Sequence, residues 1–116
     1  MIDLSDVRVF LCTVPTKMNY SFDSLMGLTQ RIFERDPLSG HLFLFVSRSR
    51  DRLKILFWDQ DGLAIFYKRL ERGTFQLPRT ANGEQGVELD ECQFKRLLTG
   101  LDLRTGRRRT RYRRVG

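Results

Sequence analysis

Apolar positions along this chain follow two rhythms, one of strands and one of helices. Residues 7–14, Val-Arg-Val-Phe-Leu-Cys-Thr-Val, are β-branched and apolar, which predicts a first strand ended by Pro15. Phe22, Leu25, Leu28 and Ile32 then recur at helical spacing, and Met26 and Phe33 widen the stripe. Ser21 is placed to cap this helix, with Asp23 in its first turn near the positive end of the helix dipole. Asp36-Pro37 stops it, because a residue before proline avoids helical geometry, and Ser39-Gly40 reads as a turn.

Strands follow in quick succession at residues 42–46, 52–58 and 63–70, with a short fourth at 74–77 ended by Pro78. The polar residues 48–51 and the run Asp59-Gln60-Asp61-Gly62 supply the links, the second with Gly62 expected to take a positive φ. Links this short favour an antiparallel meander. Residues 79–86 are a loop by composition. Asp90, with Gln93 three residues on, forms a capping-box pattern ahead of Phe94, Leu97, Leu98 and Leu101, a second apolar helical face. The pattern therefore predicts an α+β fold: an antiparallel sheet of four to five strands with two helices packed on it.

One departure from simple alternation carries weight. Residues 42–46 are apolar on both faces, and 56–58 nearly so. A sheet with one wet face alternates apolar and polar residues. Two arrangements fit: the two helices cover opposite faces, or one face keeps an exposed apolar patch where a partner docks.

Charge changes this picture at one end only. The chain has 116 residues and a net charge of +7, from 21 basic and 14 acidic residues. Residues 104–114, RTGRRRTRYRR, hold seven arginines and no acid. Setting them aside leaves 14 basic residues against 14 acidic ones, so the rest of the chain is balanced. The expected organisation is one domain over residues 1–103 with an arginine-rich tail over 104–116.

In the tail, Arg104, Arg107, Arg108, Arg109, Arg111, Arg113 and Arg114 are suited to pairing two-pronged with phosphates, and Tyr112 to stacking on a base. The alternative is a solubilising or purely disordered end, and polyanion binding is the reading favoured over it. A membrane surface suits it less, since it lacks the apolar face of an interfacial helix. The body carries a second basic set: Arg48, Arg50, Arg52 and Lys54 around the first hairpin loop, and Lys68, Arg69 and Arg72 at the end of the third strand. Alternation puts Arg52 and Lys54 on the same face as Leu56 and Trp58. That surface, with Trp58 and Tyr67 as stacking or partner contacts, either holds a phosphate backbone or consists of solvated cations beside a core tryptophan.

Catalytic chemistry finds less support. Two-metal phosphoryl transfer needs converging carboxylates. The available ones, Asp51, Asp59, Asp61 and Glu71, are turn residues or sit among cations. His41 is the only histidine and follows Gly40 at a turn, so neither a triad nor a zinc site is built around it. Glycine-rich phosphate loops of the GxGxxG or GxxxxGK[ST] kind do not occur. No catalytic residue, metal or cofactor is expected. Cys12 and Cys92 lie in apolar patterns and read as small hydrophobes. An acidic N-terminus and the lack of a long apolar run predict a cytoplasmic chain with no leader and no membrane span, so the sequon Asn19-Tyr20-Ser21 stays unmodified.

The stretch DPLSGHLFLFVSRSRDRLKILFWDQDGLAIFYKRLERGTF, residues 36–75, is more specific than any short motif. Its pattern of Asp36-Pro37, Ser39-Gly40, Leu42-Phe43, Phe45, Asp51-Arg52, Lys54, Trp58-Asp59, Gly62, Tyr67-Lys68-Arg69-Leu70-Glu71, Gly73 and Phe75 resembles the TnpB-type accessory proteins of the sixty-six-type bacterial insertion sequences, the products of their second reading frame. The similarity extends through Val7-Arg8-Val9 and Phe22-Asp23 upstream and to Leu97-Leu98 downstream. The chain departs from the pattern before the first helix, where Asn19-Tyr20 follow Thr16-Lys17-Met18 in place of basic residues, and Ser24 replaces a glycine. The resemblance implies a non-catalytic accessory role in DNA transposition, with DNA and the transposase of the same element as partners. A protein-interaction adaptor with no DNA contact of its own is the alternative, and a metal-dependent nuclease built on Asp59, Asp61 and Glu71 a distant third.

Overall fold

The computed structural model describes residues 6–80 and 83–99. Five strands form one sheet: β1 (Val9–Cys12), β2 (Leu42–Val46), β3 (Arg52–Asp59), β4 (Gly62–Arg69) and β5 (Gly86–Leu89), in the order β4-β3-β2-β1-β5. Helix α1 (Phe22–Leu28) connects β1 to β2, and α2 (Glu91–Thr99) follows β5. The fold is α+β, and the sheet is mostly antiparallel. The exception is β1 beside β2, which run parallel with Val9 opposite Leu42. Parallel neighbours need a crossover, and α1 is that crossover.

The helices cover opposite faces, which explains why every residue of β2 is buried. On one face, α1 brings Leu25 and Leu28 against Phe10, Cys12, Phe43, Phe45 and Leu56. On the other, Phe94 and Leu97 of α2 and the buried Phe75 meet Val9, Leu11, Leu42, Leu44, Val46, Leu53 and Ile55. A fully buried ring such as Phe43 contributes through both transfer and packing, so its truncation to alanine costs about 3–5 kcal/mol.

Local chemistry sets the element ends. Asp90 Oδ1 accepts from the Gln93 backbone N–H at 2.7 Å, and Gln93 Oε1 accepts from the Asp90 N–H at 2.9 Å, completing the capping box of α2. At α1, the Ser24 hydroxyl accepts from the Ser21 N–H at 2.9 Å. The helical stripe does not stay α-helical to its end. Residues Thr29–Phe33 widen into a π-turn, where the buried Thr29 hydroxyl donates back to the Leu25 carbonyl at 2.8 Å. Glu34, at φ 52°, ends it. Phe22, the first residue of the stripe, is exposed. Asp36 Oδ1 accepts from the Leu38 N–H at 2.9 Å, forming the turn before β2.

Three local expectations need correction. Residues 74–77 form no strand; Phe75 instead buries its ring under the sheet and donates its N–H to the Arg50 carbonyl at 2.7 Å. The fifth strand is β5, antiparallel to β1 with Phe10 opposite Glu88. In the β3–β4 turn the positive φ belongs to Gln60, at 55°, and not to Gly62. Only Gln60 and Asp61 separate the paired residues Asp59 and Gly62, so the loop is a two-residue connection. Gly86 matters for a different reason: a Cβ there would lie 2.8 Å from the Phe33 ring, so glycine lets β5 approach the π-turn.

Candidate nucleic-acid interface

Six of the predicted basic residues, Arg48, Arg50, Arg52, Lys68, Arg69 and Arg72, gather where β2, β3 and β4 share one end. Arg52 opens β3 and Arg69 closes β4, directly opposite each other in the ladder. The β2–β3 loop is laced to the chain after β4: Leu70 donates its N–H to the Asp51 carbonyl at 2.7 Å, and Phe75 reaches Arg50 as above. This brings exposed Arg48, Arg50, Arg52, Arg69 and Arg72 to one end of the sheet. Lys68 is there too, but it pairs with Leu53 and so sits on the α2 side, whereas Arg52 and Arg69 sit on the α1 side.

Asp51 organises the loop. It accepts hydrogen bonds from the hydroxyls of Ser49 and Ser47, and the Ser49 bond holds its carboxyl below the usual carboxylate range. Ser47, itself buried, accepts from the Arg52 N–H at 3.1 Å. Arg50 takes a φ of 62°, in the left-handed region.

Arg52 opposite Arg69 is the electrostatic feature of this end. Directly opposed side chains in an antiparallel pair have Cβ atoms about 5 Å apart, and like charges there are destabilising. The one carboxylate bridged to either is Glu71, 3.7 Å from Arg69 with both groups more than half exposed, among the described residues. Arg52, Arg69, Glu71 and Tyr67 line a shallow recess of about 390 Å³. Tyr67 is 49% exposed and shares the α1 side with the two arginines, so its ring is available beside them.

Other predicted site residues lie elsewhere. Lys54 is buried; its ammonium donates to the carbonyls of Met18 and Tyr20, both at 2.7 Å, and lies 4.7 Å from the centre of the Tyr67 ring. It fastens the segment before α1 to the sheet. Trp58 is on the same face as Arg52 but six residues along β3, roughly 20 Å away at strand rise. It is half-buried beside Leu63 at the far turn. The tail residues, Arg104 to Arg114 with Tyr112, lie outside the described residues.

The carboxylates do not converge. Asp51 and Glu71 belong to the basic end, and Asp59 and Asp61 to the opposite turn, roughly 20 Å away by the length of β3. No group of three metal-ligating side chains occurs among the described residues. Cys12 is buried, with its thiol pKa pushed up by that burial, and Cys92 is exposed; neither forms a disulfide. No helix among the described residues is long and apolar enough to cross a membrane.

A second charged group escaped the sequence reading. Arg8 and Glu88 form a two-pronged bridge across β1 and β5 at 2.6 and 2.9 Å, holding the Glu88 carboxyl low. His41 Nδ1 accepts from the Arg8 N–H at 3.0 Å. Burial, reinforced by Arg8 and Arg35, lowers the His41 pKa. Arg8 and Arg35 stack on Phe10, at 5.2 and 4.8 Å from its ring centre. Arg8 and Glu88 are 80 positions apart, so nothing local in the sequence links them.

Fold and surface together define a small α+β fold with a core on each face of its sheet and a basic sheet end. Across residues 7–108 the chain matches the family model described as IS66 Orf2 like protein, and it belongs to that family. The family implies an accessory role in transposition. Among curated proteins, the chain is 36% identical over 111 residues to the uncharacterized protein y4hO of Sinorhizobium fredii, covering 96% of this chain and 95% of that one. It is 29% identical over 96 residues to the uncharacterized protein y4jC of the same organism, covering 83% and 80%. No solved structure matches.

Proposed function

We propose that this protein is a non-catalytic accessory factor of transposition that binds DNA, alone or in the transposase–DNA complex, through the basic end of its sheet. The observation that carries the reading is the opposed pair Arg52 and Arg69. Two arginines paired directly opposite each other at a strand end, with Arg48, Arg50 and Arg72 nearby in the chain, are relieved by a bridging anion. A phosphate oxygen supplies it and also accepts two-pronged arginine contacts. Tyr67 adds a ring for stacking. The arginine-rich tail would add affinity without sequence selection.

Fluorescence anisotropy of a labelled duplex, titrated at several salt concentrations, tests this. Each phosphate contact contributes about 0.9 to the slope of log K against log salt. Arg52→Ala with Arg69→Ala is expected to reduce the slope by roughly 2, and removal of residues 104–116 to reduce it further. An unchanged slope in the double variant would rule out the sheet end as the contact.

A second reading, an adaptor that touches the transposase and not DNA, is favoured by Phe66, 47% exposed on the α2 side. Capture of the same element's transposase after nuclease treatment, lost in Phe66→Ser, would support it.

A further inference from the structure

The sheet's two edges differ. β5 is four residues long and carries the Arg8–Glu88 bridge, both ordinary means of blunting an edge. β4 is eight residues long, pairs with β3 without a bulge from Gly62 to Arg69, and contains no proline. Its sequence, GLAIFYKR, has charge only at its last two positions. Among the described residues, no backbone bond from outside the β3–β4 ladder reaches it. Phe66 and Tyr67, on its two faces, are each about half exposed. A long, unprotected, apolar edge is a template for another strand.

We infer that β4 pairs antiparallel with β4 of a second copy, making a continuous ten-stranded sheet about a two-fold axis. Such an axis, perpendicular to the sheet, keeps each residue on its own face, so the register must pair positions of equal parity. With Ile65 on the axis, Phe66 lies opposite the partner's Ala64 and Tyr67 opposite the partner's Leu63, large against smaller on both faces. Lys68 lies opposite the partner's Gly62, and Arg69 opposite the partner's Asp61. The hairpin is acidic at its turn, with Asp59 and Asp61, and basic at its root, with Arg52, Lys68, Arg69 and Arg72 outnumbering Asp51 and Glu71. Antiparallel pairing sets turn against root twice. A parallel pairing would set like ends together, so the charges select the direction.

The inference shares Arg69 with the proposed DNA contact but does not rest on it, and it is tested without nucleic acid, on the full chain. Sedimentation equilibrium should show a reversible dimer. Asp61→Arg faces Arg69 with a like charge at both symmetry-related contacts and should weaken dimerisation roughly tenfold or more. Asp61→Arg combined with Arg69→Asp restores it. In a Cys92→Ser background, Asp61→Cys mixed with Arg69→Cys should crosslink through a short bis-maleimide, while neither does so alone. A monomer at every attainable concentration overturns the inference. So does a dimer indifferent to Asp61→Arg with no mixed crosslink. Circular dichroism on each variant confirms that the turn and strand-end substitutions leave the fold intact.

Discussion

Lys54 offers a sharp test of how this structure assigns its cations. Replacing it with methionine keeps the aliphatic stem and removes the ammonium. Two hydrogen bonds of 2.7 Å, to the Met18 and Tyr20 carbonyls, disappear along with the contact to the Tyr67 ring. Hydrogen bonds to a charged group contribute about 1.5–3 kcal/mol each, and a cation over an aromatic ring about 0.5–2 kcal/mol. Against this stands the cost of burying an ammonium, about several kcal/mol, which the wild type bears and the variant does not. Met18 and Tyr20 are only half-buried, so water can reach part of what Lys54 leaves. The balance is a net loss of about 1–3 kcal/mol, which for a domain of this size lowers the Tm by roughly 5–20 °C. Thermal unfolding by circular dichroism measures it, and hydrogen exchange should show lost protection confined first to residues 15–24. If Lys54→Met melts with the wild type but binds DNA with a reduced salt slope, the reasoning is wrong and Lys54 is an interface residue after all.

Two further outcomes probe the β5 side of the sheet. Gly86→Ala drives a Cβ to 2.8 Å from a Phe33 ring already packed against Phe10, Phe43 and Phe45, so equilibrium denaturation should show a loss of about 1–3 kcal/mol. Glu88 has a depressed folded pKa, so its contribution is present above the ordinary carboxylate range and is lost as pH falls through the depressed value. The bridge is exposed and the effect small; the Tm gap between wild type and Glu88→Gln should close as pH falls from neutral to below the ordinary carboxylate range.

What the sequence made legible was local. Asp90 and Gln93 announce α2 because a capping box is complete within four residues. The unbroken apolar run of β2 announces burial on both sides. The parallel pairing of β1 with β2 was hidden, since it depends on α1 returning the chain to the same edge. β5 was hidden as well: Gly-Val-Glu-Leu is too short to declare itself, and its partner lies some 75 positions away. Residues 74–77 have strand composition, but they run beneath the sheet, where Phe75 fills the core. For the site, alternation placed Arg52 and Lys54 on one face correctly. It did not reveal that the segment before α1 lies over Lys54 and not over Arg52. Of the residues that carry the family resemblance, Lys54, Asp51 and Phe75 serve the fold, while Arg52, Tyr67 and Arg69 remain at the surface.

The covering of both sheet faces has a genetic consequence. A layer enclosed by a helix on each side has little left to offer a partner except its perimeter. Substitutions on the faces should therefore act through abundance, by unfolding the protein. Those along the perimeter, at Arg52, Asp61 or Phe66, should act on one contact each while the protein accumulates normally. Random mutagenesis scored for transposition and for protein level together should sort into two classes, with separation-of-function alleles confined to the strand ends and the β4 margin.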